Sequence, residues 1–272
     1  MIAFAHIQKT GGVTMNSVLR RSYGTRHCDV MPVGRYDTYL LETYSGSDHR
    51  WTARLYPRLL SIAGHLVKPH SDLHTVVPEV RYFTMLREPL KRMASHYQHV
   101  VQKLGRTWSF RDWAENALLR DLQTHHIGGT GRFEDAAGIL EERCFLVGLV
   151  ERYDESLVLL RRRAGEPEMD IRYIARNVAT DNSIRDGLLA DPDHRRMLAD
   201  LNREDVKLYR FVVEDLYPRF QREYGATLEA DVAAFRAALP ARRISVREQL
   251  SRLKMNLVYR PLLRGYRSVA AR

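Results

Sequence analysis

Apolar residues in this chain fall into two alternating patterns. Four short runs, at residues 2–7, 60–67, 80–86 and 144–150, are predominantly apolar and do not alternate, as expected of strands buried on both faces of a parallel sheet. Stretches with helical spacing follow them, at about 12–22, 89–103, 109–120 and 153–164. This alternation predicts an α/β fold with a central parallel sheet flanked by helices. The C-terminal half reads as mainly helical. Over residues 193–224, Leu198, Leu201, Val206, Tyr209, Val212, Val213, Leu216 and Phe220 form a candidate buried face, and Pro218 is expected to kink or end that helix. Residues 25–59 have no clear period and contain clusters of Gly, Pro, Ser and Asp, so they read as an irregular insertion. There is no internal repeat or low-complexity tract.

In a parallel α/β sheet, ligands bind beyond the carboxyl ends of the strands. That rule gathers the loops after Ile7, His65 and Leu86 at one edge. The first of these loops, HIQKTGGVT at residues 6–14, joins a strand to a helix start through two glycines. Glycines let backbone approach an anion, the unpaired N–H groups of a helix start point at it, and Lys9 adds a mobile charge. A phosphorylated ligand suits this loop, although a plain strand-to-helix turn with a solvated lysine has the same letters. The order of residues differs from the nucleotide triphosphatase loop GxxxxGK[ST], because Lys9 precedes the glycines and no Ser or Thr follows it at the helix entry in the magnesium position. A metal-free phosphate site is the expectation.

At 272 residues, one α/β domain suffices to bury a sizeable core. No run approaches the roughly 20 apolar residues that span a bilayer, and the six-residue apolar start is too short for a secretory signal. Two cysteines, Cys28 and Cys144, make no disulfide framework, so a cytoplasmic setting is expected. Cys144 lies in an apolar run and reads as a buried structural thiol. The net charge of +10 is unevenly spread. Residues 241–272 hold nine Arg and Lys against the single acid Glu248, a charge of +8, leaving +2 for the other 240 residues. Basic character therefore marks a tail on a 1–240 domain rather than a nucleic-acid-binding surface, and no nucleic-acid partner is expected. Within the tail, Val246, Leu250, Leu253 and Leu257 recur at helical spacing beside Arg247, Arg252 and Lys254, with Pro261 expected to end the helix. Such a helix can dock on the core, lie on an anionic membrane surface as a peripheral contact, or help to bind an acidic glycan.

A second informative stretch, FTMLREPLKRMASHY at residues 83–97, reads as a strand that ends in Arg87, then Pro near the first turn of a helix that carries Ser95. An Arg fork and a hydroxyl converging on one point suit a phosphate monoester. A surface pair of Arg87 with an acid, and Ser95 as a packing residue, is the structural alternative.

Together the two stretches resemble the paired signatures of sulfotransferases that use 3′-phosphoadenosine 5′-phosphosulfate (PAPS). They are similar in pattern to carbohydrate sulfotransferases of the heparan sulfate 2-O type and their bacterial counterparts. Those show PKTGGT or PKTAST in the first loop and RDP…R…SxY in the second. The likeness extends to Gly64-His65, to Leu122-Gln123-Thr124 and to residues 147–156, and covers roughly residues 1–215. Gln8 stands where the family usually has proline, and Glu88 where it has aspartate. The resemblance implies a P-loop-like three-layer fold. It implies that Lys9 and the backbone of Thr10, Gly11, Gly12, Val13 and Thr14 hold the 5′-phosphosulfate, and that Arg87 and Ser95 hold the 3′-phosphate. Adenosine 3′,5′-bisphosphate would be the product.

His65 closes its strand at the same edge, and a neutral imidazole suits removal of a hydroxyl proton. The related enzymes place a histidine base after a glycine in a similar strand, so the expectation is His65 as base and Lys9 as the group that neutralises the leaving phosphate. His70 and His74 also invite a metal reading, but no Cys or acidic ligand completes the set. The implied reaction is transfer of a sulfuryl group to a hydroxyl of a glycan or glycolipid-like acceptor. A nucleotide kinase or phosphotransferase, or a non-catalytic nucleotide- or polyanion-binding protein, are the alternatives. Residues 176–183 are polar and suit either a cover over the cofactor or a surface loop.

Overall fold

The computed structural model describes residues 1–32, 42–115, 119–174, 181–239 and 245–270. Five parallel strands, β1 (Ile2–Ala5), β2 (His27–Asp29), β3 (Ser61–Gly64), β4 (Arg81–Leu86) and β5 (Cys144–Leu149), form one sheet in the order β2-β3-β1-β4-β5. The four runs read as strands in the sequence are all there. The fifth strand, β2, lies inside the segment read as irregular. That reading is corrected, because residues 25–59 contain both β2 and the helix α2 (Gly46–Leu55). β2 escaped notice because two of its three residues, His27 and Asp29, are polar yet buried. Burial pushes the Asp29 carboxyl up, but His27 and Arg20 outweigh it and hold the group at about 2. Arg20 supplies two bonds of 2.8 Å.

Helices pack around this sheet. α1 (Gly12–Tyr23) follows β1, α3 (Pro89–Leu104) follows β4, and α7 (Tyr153–Ala164) follows β5. Between β4 and β5 lie α4 (Phe110–Ala114), α5 (Leu122–Gly128) and α6 (Phe133–Arg143). Beyond α7 every element among the described residues is a helix: α8 (Ser183–Ala190), α9 (Pro192–Leu201), α10 (Arg203–Phe211), α11 (Tyr217–Tyr224), α12 (Leu228–Ala237), α13 (Val246–Lys254) and α14 (Arg260–Ala270). The core is continuous across sheet and helices, with Phe4, Ile62, Phe83, Leu146 and Leu157 fully buried.

Pro261, expected to end its helix, and Pro218, expected to kink or end its helix, end neither. Pro218 follows a π-helical segment at Val212–Leu216, Pro261 follows another at Met255–Tyr259, and the helix resumes each time. A proline ring collides with the carbonyl four residues back and offers no N–H, and a wider π turn just before it relieves both problems.

Register sets the geometry of the site. Ala5 lies opposite Gly64 on one side and Thr84 on the other, so β1, β3 and β4 reach the same edge and release their loops side by side. β1 is also where the connections reverse direction, from β2 and β3 on one side to β4 and β5 on the other. Such a reversal opens a crevice at the carboxyl ends.

Candidate functional site

The loop after β1 is a built cradle. Lys9 and Gly11 have φ of +66° and +78°, and the buried Thr10 donates its hydroxyl to the Ile7 carbonyl at 2.9 Å. A left-handed lysine is strained by roughly 1 kcal/mol or more, and such strain gathers at functional sites. α1 then begins with no side-chain cap and no acid in its first turn. The positive end of its dipole therefore lies at the strand-end loops without a carboxylate or side-chain cap of its own. Both glycines are required by their walls. A Cβ at Gly11 would stand 2.7 Å from the Tyr153 ring, and one at Gly12 would stand 1.8 Å from His6 Nε2. Tyr153 also donates its hydroxyl to the Gly11 carbonyl at 3.1 Å. Thr10 spends its hydroxyl inside the turn, so it can serve an anion only through its backbone.

Arg87 comes to this cradle from the end of β4. Its Nη1 donates to the Lys9 carbonyl at 3.2 Å. Two cations thus share a partly desolvated corner. Burial first, and then the Arg87 charge, lower the Lys9 pKa to about 8. The Arg87 value is also lowered, by burial and by Arg185, against the opposing effect of Glu151 and Glu88. Gln123 clamps the Arg87 backbone at both ends: its Oε1 accepts from the Arg87 N–H and its Nε2 donates to the carbonyl, each at 3.0 Å. Gln123 is fixed in turn by Asp205, whose carboxylate accepts from the N–H groups of Gln123 and Thr124. Glu88 caps α3 by accepting from the N–H groups of Leu90 and Lys91, so this helix start is closed by its own carboxylate. Ser95 lies half-buried two turns along α3, and the buried His96 beside it is close enough to Lys9 and His65 for their charges to depress its pKa, after burial and Arg92.

His65 stands on the other side of β1. Its Nδ1 lies 2.6 Å from the His6 carbonyl oxygen. An oxygen there can only accept, so the proton of the neutral ring sits on Nδ1 and the lone pair on Nε2. The ring stacks on His6 with centroids 4.1 Å apart, and His6 stacks in turn on Phe4 at 5.5 Å. Burial lowers the His65 pKa to about 4, with the bond to His6 opposing. At neutral pH the ring is an uncharged proton acceptor. His70 and His74 point their Nδ1 atoms at the carbonyls of Ile127 and Ser71, and among the described residues no group of three His, Cys, Asp or Glu is arranged to hold a metal.

Residues 1–144, more than half of the chain, match the model of the sulfotransferase family. The chain belongs to this family. The match contains the cradle, His65, Arg87 and Ser95. Among curated relatives, mouse heparan-sulfate 6-O-sulfotransferase 3 is 31% identical over 123 residues, which cover 40% of this chain and 25% of that protein. Mouse galactosylceramide sulfotransferase is 25% identical over 268 residues, covering 87% of this chain and 62% of that protein. The chain therefore spans a quarter of the first relative and under two thirds of the second. A solved sulfotransferase from Alicyclobacillus acidocaldarius superposes with a TM-score of 0.40 at 15% identity, covering 76% of this chain and 98% of that one.

In this sulfotransferase-family chain, the site holds residues that the sequence reading did not single out. Gln123 and Tyr153 belong to quoted stretches but had no assigned task. His6, the stacking partner of His65, sat in the first motif unremarked. Arg185, on α8, had no sequence signal, since only the packing of α8 on α3 brings it near Arg87. Of residues 176–183, read as a candidate cover, 176–180 lie outside the described residues. Asp181 receives a bond from Gln98 at its carbonyl, and Ser183 opens α8.

Proposed function

We propose that this chain transfers a sulfuryl group from PAPS to a hydroxyl of a glycan or glycolipid acceptor, without a metal. The observation that carries the reading is the contact of Arg87 with the Lys9 carbonyl at a helix start without a side-chain cap, with a histidine at the end of the neighbouring β3 held as the Nδ1–H tautomer. Two adjacent cations beside a glycine cradle fit a ligand with phosphate groups at both ends of a nucleoside. The backbone N–H groups of Thr10, Gly11, Gly12 and Val13, with Lys9, would hold the 5′-phosphosulfate, and Thr14, whose N–H is given to the Gly11 carbonyl at 3.1 Å, would close the loop beneath it. Arg87, with Ser95 and the field of Arg185, would hold the 3′-phosphate. When bound, PAPS supplies an activated sulfuryl group.

His65 Nε2 then takes the proton of the acceptor hydroxyl as that oxygen bonds to sulfur, and the sulfur–oxygen bond to the 5′-phosphate breaks in line. The bonding pair departs on the phosphate oxygen, where Lys9 and the helix start neutralise it. Adenosine 3′,5′-bisphosphate leaves. The names of the relatives, which act on heparan sulfate and galactosylceramide, favour a sugar hydroxyl as the acceptor.

The test is incubation of the purified chain with PAPS labelled in the sulfate, offered heparan-type polysaccharide and galactosylceramide without added metal. Label should appear in at least one acceptor. Its absence from both, with no preference of the protein for adenosine 3′,5′-bisphosphate over ATP, would overturn the reading.

A further inference from the structure

The tail docks by a face other than the one its apolar pattern suggests. α13 packs on α1 and on the turn at Gly24–Arg26. It does so through Glu248 and Ser251, both buried, with Ser17 donating to Glu248 at 2.9 Å and Arg252 closing the pair from the tail itself at 2.8 Å. The same side continues with buried Met255, Tyr259 and Leu263, and Trp51 packs against Tyr259 and Tyr266. The apolar stripe is consequently turned outward. Val246, Leu250, Leu253 and Leu257 are 67%, 49%, 53% and 73% exposed, and Val258 and Leu262 extend the patch at 39% and 48%.

Scattered exposed leucines are ordinary on a protein surface, but six large apolar side chains along one helical rod of about 25 Å are not. The charges around them have one sign. Arg247, Arg260 and Arg264 are exposed, while the only acid of residues 241–272, Glu248, faces inward. A second copy of the chain is a poor occupant for this face, because a symmetric pair would set two +8 tails against each other. An apolar stripe flanked by arginines suits the boundary between headgroups and acyl chains of an anionic bilayer.

We propose that the outward face of α13 and the start of α14 lies on an anionic membrane surface, its leucines among the lipid headgroups and its arginines paired with lipid phosphates. The exposed stripe contains no residue assigned to the sulfuryl-transfer site, so the two readings stand or fall separately.

The test is co-sedimentation of the full chain with phosphatidylcholine vesicles, with and without phosphatidylserine. Three proteins are compared: the native chain, Leu253→Ser with Leu257→Ser, and Arg260→Gln with Arg264→Gln. All four positions are exposed, so the variants should keep the native unfolding temperature. The native chain should bind the phosphatidylserine vesicles, and less so as salt is raised. Each double variant should bind about tenfold more weakly or less, with bisphosphate affinity unchanged in all three. No binding by the native chain, or equal binding by the variants, would overturn the proposal. So would a native dimer in light scattering that the leucine variant abolishes, which would assign the stripe to self-association.

Discussion

Gly12→Ala should damage the site more than its size suggests. Near a helix start, alanine is ordinarily the better residue, by up to about 1 kcal/mol. Here the added Cβ would stand 1.8 Å from His6 Nε2, 1.9 Å from Cδ2 and 2.5 Å from Cε1, so the ring has to move. It has little room, because it is buried and stacks on both Phe4 and His65. Overpacking of this kind costs about 1–3 kcal/mol. For a chain of this size that is a fall of about 3–9 °C in unfolding temperature. The displaced ring also disturbs the cradle and the partner of His65, so affinity for adenosine 3′,5′-bisphosphate should fall about tenfold or more. Gly138→Ala is the control: its Cβ meets nothing within 4 Å on α6, and it should leave the unfolding temperature unchanged or raise it. Differential scanning fluorimetry with and without the bisphosphate reads both quantities. A Gly12→Ala protein with native melting temperature and native affinity would refute the reasoning, since the clash would then be absorbed without touching the site.

Arg87→Ala removes one of two adjacent cations and should weaken bisphosphate affinity by about 10- to 100-fold by titration calorimetry, as expected for loss of a charge-assisted bond; an unchanged affinity would place the 3′-phosphate elsewhere. Gln123→Ala leaves the Arg87 N–H and carbonyl without their partner, so it should lower stability by about 2–4 kcal/mol and affinity together, in chemical denaturation and calorimetry. Stability should also decline as the medium is acidified. His6, His65, His96 and His126 all have lowered pKa values, with burial as the first cause. The unfolded chain therefore takes up protons from about pH 6.5 downward while the fold resists. The stabilisation is complete above that pH and, for His65, is lost toward about 4, a loss of roughly 3 kcal/mol. A melting temperature constant from pH 7 to pH 5 would contradict this.

Legibility followed a simple physical rule. Elements whose pattern reports direct burial were readable: β1, β4 and β5 as apolar runs, and α3 and α7 nearly to their ends. The glycine loop after β1 and the Arg87 strand end were readable as local features because glycine and cation spacing is local. Elements held by polar burial were not. β2 depends on the pairing of Asp29 with Arg20 and His27; the helical spacing of α13 was readable, but not that it docks through Glu248 and Ser251. Pro218 and Pro261 end no helix because each follows a π turn, which residue spacing did not announce. In the site, Arg185 and the stack of His6 on His65 exist only through tertiary contact, which spacing along the chain does not carry.

The measurement closest to the central proposal is sulfate transfer by His65→Ala set beside its bisphosphate affinity. The native chain should move labelled sulfate from PAPS to a sugar hydroxyl. The variant should lose at least about 100-fold in transfer, as expected for loss of a general base, while binding adenosine 3′,5′-bisphosphate within about threefold of native. Transfer that survives in His65→Ala, or affinity that falls in step with activity, would contradict the assignment of His65 as the base.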